Sequence, residues 1–488
     1  MKNILVAQIH ALGTFARGVM LETLQDLIDE NPDAKIYYLT CSNTYNVCYI
    51  NTEKEPEVCY VCKKGVKKGM DLIKGDYIHL EIEDILLPED KELAQKFIEE
   101  NPVINKEVWF KDYEVGEAAV SSYISKTRDK NLNGIHDSFA YDLVENDVAL
   151  YNALDRFFDE IKFSQVYNFN GRNSYQRAVL NISKKYGVEC INKEIARTGG
   201  IVETFRNELP HHIETKVNLI NRAWEKKDIT TDEKEKIGRS FFENKVKGIY
   251  TNDKIYTKNQ ESNKVPENVD YSRRTFVIFT SSDDEFAAVG KDFINPYFKD
   301  QNEGIAYVAR LVAQEFPQCN LMIRMHPNLT GLDHDYVKEL RNMEKIGPNI
   351  HVIAPESSVD SYALLNIANK VIVFGSTIGL EANFWRKPVI LLGKCFWYYQ
   401  DVAYVPKQKE ELKELLEQNL DPKPTEDAIK FGFYFLRGGE EAKYFYNDVE
   451  SGASYKGVPL YKLSLTDRLK AKFIQQAHRR FKVRLFVK

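Results

Sequence analysis

The chain has 488 residues, 43% hydrophobic and 28% charged, with 27 Phe and 28 Tyr. That is enough for about two to four packed domains and excludes disordered, collagen-like and coiled-coil classes. The formal net charge of −5 gives no reason to expect nucleic acid as a partner.

The apolar start, Ile4 to Ala7, stops at Gln8. It is shorter than a signal-peptide core and reads as a buried first strand. No run reaches the ~18–20 apolar residues of a membrane span, so a cytoplasmic location is expected. Residues 3–9 are predicted as a strand, 15–29 as a helix and 34–40 as a second strand, a βαβ opening with a parallel sheet. Cys41, Cys48, Cys59 and Cys62 follow, spaced C-x6-C-x10-C-x2-C. In a reducing compartment four thiolates suit structural zinc, with an iron–sulfur cluster next and unligated thiols the plain alternative. The other cysteines, Cys190, Cys319 and Cys395, look like core residues.

Residues 80–160 are mostly helical by pattern. A strand at 163–168, a helix at 174–185 and a strand at 188–191 complete a first Rossmann-like half over residues 1–260. The polar stretch 251–274, containing Pro266, is the linker candidate, with the boundary drawn at 261–274. Beyond it strands at 275–280, 320–325, 351–354, 370–374 and 388–392 alternate with helices at 304–315, 334–343, 361–367 and 377–384. That alternation predicts a second doubly wound parallel sheet within 275–455. The fold class expected is therefore α/β, with two Rossmann-like domains, a helical insertion and a basic amphipathic tail over 456–488. Two such domains would place a ligand in a cleft.

Three strand ends in the second half carry chemistry. Val371 to Phe374 runs into Gly375, Ser376 and Thr377, where a helix start offers free amides and hydroxyls to an anion. Gly375 and Gly379 would let a phosphate approach the backbone, and Glu381 could accept hydrogen bonds from a ribose diol. An ordinary capped strand–turn–helix is the alternative. Leu321 to Met325 leads to His326 and Pro327, with Arg324 and His326 on one side of a period-two strand. A structural histidine is the alternative there. Ser281 and Ser282 follow the first strand and suit either a hydroxyl-rich ligand or a helix cap.

From Lys462 to Lys488 nine basic residues stand against Asp467 alone. This segment is +8 and the remaining residues sum to −13. Leu465, Leu469, Phe473, Ala477, Phe481 and Leu485 recur every four residues between the cations. That pattern describes an interfacial helix on anionic lipid, or a helix packed on the body with a solvated basic face.

RMHPN at Arg324–Asn328 and, some fifty residues on, FGSTIGLEANFWRKPVILLG resemble the donor half of GT-B glycosyltransferases. More narrowly they are similar to the bacterial capsule and surface-polysaccharide biosynthesis group, with its Kdo-transferase-like and polysialyltransferase-like enzymes. FTSSDDEF at Phe279–Phe286 and NFNGR at Asn168–Arg172 also look like this group. The resemblance is good over 275–395 and weak over the first 260 residues. It implies a nucleotide-sugar donor, with His326, Ser376 and Thr377 on the phosphate and Glu381 on the ribose, and Arg324 as the cation of the site. It also implies a glycan or lipid-linked glycan acceptor on the first half and a peripheral position on the inner membrane face. An inverting enzyme of this kind needs a base there, for which His10, Asp137 and Glu194 are the candidates. A sugar-nucleotide epimerase, a teichoic-type glycerophosphotransferase and a non-catalytic membrane-associated scaffold are the alternatives.

Overall fold

The computed structural model describes the chain except residues 1, 10–12, 42–46, 49, 131–134, 136, 198, 250–258, 449–451 and 482–488. It divides into two compact units, residues 1–210 with 439–488, and residues 211–438.

In the first unit β1 (Asn3–Gln8), α1 (Thr14–Glu30) and β2 (Lys35–Thr40) form the expected βαβ opening. After it come α2 (Pro56–Met70), β3 (Ile78–Glu81), α3 (Pro88–Glu100), α4 (Val115–Thr127), α5 (Ser138–Ile161), β4 (Gln165–Phe169), α6 (Gln176–Lys185), β5 (Glu189–Arg197) and β6 (Ile201–Arg206). Strands β3-β2-β1-β4-β5 pair in parallel and β6 joins antiparallel. The apolar runs of β1 and β2 are buried because helices cover a parallel sheet, and Val6, Met20, Leu24 and Tyr38 lie in one core cluster. The helical insertion is α3 to α5. Asp90 is its fixed point: fully buried, it takes Arg156 Nη1 and Nη2 at 2.6 Å each and Asn152 Nδ2 at 2.7 Å. The sequence reading ended the last strand at 191. β5 runs on and turns through Gly199 and Gly200, both at positive φ, into β6, whose pairing a βαβ pattern does not announce.

The second unit starts with α7 (Ile213–Glu225) and α8 (Thr231–Val246). Next come β7 (Thr275–Phe279), α9 (Asp283–Ala287), α10 (Gln301–Glu315), β8 (Asn320–Arg324), α11 (Asp335–Arg341), β9 (Ile350–Ile353), α12 (Ser361–Ile367), β10 (Lys370–Val373), α13 (Ile378–Phe384), β11 (Val389–Leu391), α14 (Leu412–Glu417) and α15 (Glu426–Arg437). The sheet order β11-β10-β7-β8-β9 is wholly parallel, a Rossmann-like arrangement. Both sheet faces are buried, one with Phe276, Ile278 and Ile372 and the other with Val277, Val371 and Val373.

The boundaries differ from the expected division at 260 and 275. Helices α7 and α8 share an apolar cluster with α15, through Ile220, Phe241, Phe242, Ile429 and Phe433, and so belong to the second unit. After α15 the chain returns to the first unit as β12 (Glu440–Glu441), pairing with β6, then β13 (Phe445–Asp448), β14 (Gly452–Tyr455) and β15 (Val458–Pro459). Glu22 of α1 holds this return by accepting from the backbone N–H of Lys443, Tyr444 and Phe445.

The last helix, α16 (Leu465–Phe481), packs on α2. The Tyr60 hydroxyl donates to Asp467 at 2.8 Å, Lys68 donates to the carbonyls of Pro459 and Lys462, and Ile474 is buried. Leu465, Leu469 and Phe473 remain 68%, 59% and 67% exposed. Among the described residues no helix is long and apolar enough to cross a membrane.

Candidate functional site

The carboxyl ends of β7, β8 and β10 and the facing ends of α8, α12 and α15 enclose a cavity of about 320 Å³ in the second unit. Its polar lining includes Thr280, Arg324, His326, Ser376 and Thr377, and its aromatic lining Phe241, Phe431 and Phe435. Open α/β sheets bind ligands at such strand ends because the chain diverges there and leaves a crevice.

Pro327 ends β8 and turns the chain, and the His326 imidazole caps that turn by accepting from the Asn328 backbone N–H at Nδ1 (3.1 Å). The His326 N–H donates to Thr280 Oγ1 at 2.9 Å, tying two strand ends together. With Nδ1 accepting, a neutral ring carries its proton on Nε2. Asn328 Nδ2 donates to Ser282 Oγ (3.2 Å) and Glu285 Oε1 (2.9 Å), so Ser282 supports this loop. Ser281 is drawn the other way: its N–H donates to Gln301 Oε1 at 2.7 Å. Of this segment Thr280 lines the cavity.

Arg324 lines the cavity but its guanidinium is committed. It is 2% exposed, Nη1 donates to the Ala354 carbonyl, and Nη2 donates to that of Ser357 at 3.3 Å. Burial pushes its pKa down to about 10. Its position therefore anchors the loop after β9. The two glycines also act through packing. Gly375 has φ +131°, and a Cβ there would meet Phe286 at 3.0 Å and Cys395 at 3.2 Å; at Gly379 a Cβ would meet the Trp397 ring at 2.8 Å. Each position is filled from the protein side.

Glu381, 6% exposed, accepts from the Tyr362 hydroxyl at 2.6 Å and pairs with Lys245 at 3.3 Å. Lys245 also sits 4.5 Å from the centre of the Phe241 ring. Sequence reasoning missed Lys245, Tyr362 and the three phenylalanines. The i, i+4 pair Phe431 and Phe435 was the available signal, but residues 241–245 fell in the half assigned to another domain.

In the first unit Asp137 caps α5, accepting from the Phe139 N–H at 2.8 Å. Glu194 lies at the carboxyl-terminal part of β5, where Asn170 Nδ2 and the Ile195 N–H (2.9 Å) donate to it, and burial pushes its carboxyl pKa up. His10 lies outside the described residues.

The expected metal set does not form. Among the described residues no three His, Cys, Asp or Glu side chains come together as ligands. Cys59 and Cys62 share one turn of α2; Asn51 Nδ2 donates to Cys59 Sγ at 3.2 Å, and Arg17 lies against Cys62. Burial pushes both thiols up to about 11. The zinc and iron–sulfur expectations are corrected accordingly: a C-x2-C spacing on a continuous helix is used here for packing.

Fold and site together define a protein of two Rossmann-like α/β units with a polar and aromatic cavity at the strand ends of the second. Residues 241–419, the stretch that builds most of the cavity, match the family described as capsule polysaccharide biosynthesis protein. A search of curated proteins finds no match. Among solved structures the chain is similar to the β-Kdo 2,4 transferase KpsC of Thermosulfurimonas dismutans, with 13% identity, 64% of this chain and 87% of that one covered, and TM-score 0.36. It is also similar to UDP-GlcNAc 2-epimerase from Methanocaldococcus jannaschii, with 12% identity, 88% and 98% covered, and TM-score 0.29.

Proposed function

We propose that the protein transfers a sugar from a nucleotide-sugar donor to a growing surface polysaccharide or glycolipid, with the nucleotide end of the donor in the second unit's cavity. The observation that carries this reading is the cavity's lining, which brings hydrogen-bonding groups from three strand termini, three phenylalanines and the Glu381 carboxylate into one space. A phosphate in the cavity would take the His326 Nε2–H and the hydroxyls of Ser376 and Thr377. These groups stabilise the negative charge that grows as the bond from the anomeric carbon to the phosphate oxygen breaks. The bond's electron pair leaves with the phosphate. The acceptor hydroxyl oxygen bonds to the anomeric carbon and gives its proton to a base.

Exposed Leu465, Leu469 and Phe473, alternating with Arg468, Lys470 and Lys472, give α16 the make-up of a helix lying on anionic lipid. This would hold the enzyme against lipid-linked acceptors. Co-sedimentation with phosphatidylglycerol vesicles should be lost in Leu469→Glu/Phe473→Glu, and unchanged binding would refute this part.

The donor assignment is tested by calorimetric titration with a panel of nucleoside phosphates. One or more should bind, and His326→Ala/Ser376→Ala should weaken that binding by about 10–100-fold, the worth of hydrogen bonds to a charged group. Unchanged affinity would overturn the assignment.

A further inference from the structure

We infer that Asp147 is a buried, proton-carrying latch on the connection between β4 and α6 of the first unit: as the neutral acid it holds that connection in a strained form, and ionisation of this one carboxyl releases it. The inference is independent of the nucleotide reading above.

The connection is the Asn168–Arg172 motif with the residues that follow it. The chain enters the left-handed half of backbone space three times here, at Asn170 (φ +61°), at Gly171 (φ +81°) and at Tyr175, where φ is +71° and ψ −48°. For a residue with a bulky side chain the last conformation is sparsely populated and persists only where its surroundings impose it. Three neighbours do so. Asp147 of α5 accepts the Tyr175 N–H at Oδ1 (2.7 Å), Ser122 of α4 accepts the Ser174 N–H at Oγ (2.8 Å), and the Tyr175 hydroxyl donates to the Val47 carbonyl. Of residues 171–180 only Arg172 is not buried. What the held turn presents at the end of β4 is therefore one guanidinium, steadied by Nη2 donating to Ser125 Oγ at 3.3 Å.

Asp147 differs from the other two holds because it can titrate, and it is wholly buried. Against its carboxyl lie the hydroxyls of Tyr113, from the segment before α4, and of Ser174, and the cation that reaches it is Arg177 of α6. That cation is already matched: its Nη1 donates to Glu114 Oε1 at 2.8 Å and its Nε to the Arg172 carbonyl at 3.2 Å. From α4 comes the neutral Ser122, and α3 meets α5 further along, where Asp90 takes Arg156. An ionised Asp147 would thus be a charge out of water without a cation of its own, which is costly. The neutral acid avoids this, accepting the Tyr175 N–H at one oxygen and giving its proton to an adjacent hydroxyl from the other. Burial accordingly pushes the carboxyl pKa up to about 7, with the surrounding donors and Arg177 offsetting part of the shift. Once ionised, the group gains by opening to water, and opening also lets Tyr175 leave its strained conformation.

Exposed, the carboxyl ionises near pH 4; latched, it ionises near pH 7. The latched form is therefore favoured at low pH, by a margin that shrinks about tenfold per pH unit between these values and is used up above the higher one. The test is hydrogen–deuterium exchange of the full chain, read on peptides spanning residues 170–180 and corrected for the intrinsic pH dependence of exchange. Wild-type protection should fall about 100-fold from pH 5 to pH 8, with the loss complete near pH 7. Asp147→Asn keeps an acceptor for the Tyr175 N–H and cannot ionise, so its protection should hold over the same range. Wild-type protection that is the same at both pH values would overturn the inference, and so would an equal fall in Asp147→Asn. Should that variant fail to fold, the wild-type profile decides alone: a loss confined to the ordinary aspartate range, or one still growing above pH 8, would overturn it.

Discussion

Replacing Gly375 by Ala probes the turn that presents Ser376 and Thr377. At φ +131° a residue with a Cβ is in a sparsely populated region, which costs about 1–3 kcal/mol. The methyl would also meet Phe286 Cζ at 3.0 Å, Cys395 Cβ at 3.2 Å and the Lys394 carbonyl oxygen at 3.3 Å. Two of these contacts are close to backbone and cannot swing aside, so overpacking adds about 1–3 kcal/mol. The expected loss is therefore about 2–6 kcal/mol. For a unit of this size, at ~2–4 °C per kcal/mol, the second unit's melting temperature should fall by roughly 4–24 °C. Differential scanning calorimetry reads this directly, and titration with the preferred nucleoside phosphate should show weakened binding alongside it. A melting temperature within 2 °C of wild type would refute the claim that this turn needs a glycine.

Asp90→Ala should destabilise the first unit by about 2–4 kcal/mol, below the value for a wholly buried pair because Arg156 is 35% exposed. Burial alone would raise the Asp90 pKa, but Arg156, the Leu87 N–H and Asn152 hold it below the usual range. Its contribution is thus full above the unfolded-state carboxyl pKa and fades as pH falls through the lower folded value; acid denaturation curves of wild type and variant should converge there. Cys59→Ser/Cys62→Ser should leave the metal content of the purified protein unchanged by elemental analysis; a loss of stoichiometric metal would restore the ligand reading.

Much of the frame was legible because a parallel sheet announces itself. Its strands are continuous apolar runs between helical periods, and 275–392 follows that rule strand by strand. The polar lining of the cavity was legible for the same reason, since residues that end such strands gather on one edge. The rest was hidden by different physics. Pairing of β6 and β12 depends on partners far apart in sequence, and short hairpins such as β13 to β15 carry little periodicity. Helices α7 and α8 could be placed only by the faces they bury, and with them went Lys245 and Phe241. Arg324 lines the cavity, yet its partners are backbone carbonyls, which no side-chain pattern reveals. The cysteines were misread because spacing says nothing of whether a helix runs unbroken through them.

The central claim is acceptor-dependent transfer from a nucleotide sugar, and mass spectrometry of one reaction mixture tests it most directly. The protein is incubated with a panel of nucleotide sugars, with and without a lipid-linked glycan acceptor. The account predicts that the acceptor gains one sugar mass for each nucleotide released, with the donor unconsumed when the acceptor is left out. Isomerisation of the nucleotide sugar in the absence of any acceptor, or use of CDP-glycerol in place of every sugar donor, would contradict it.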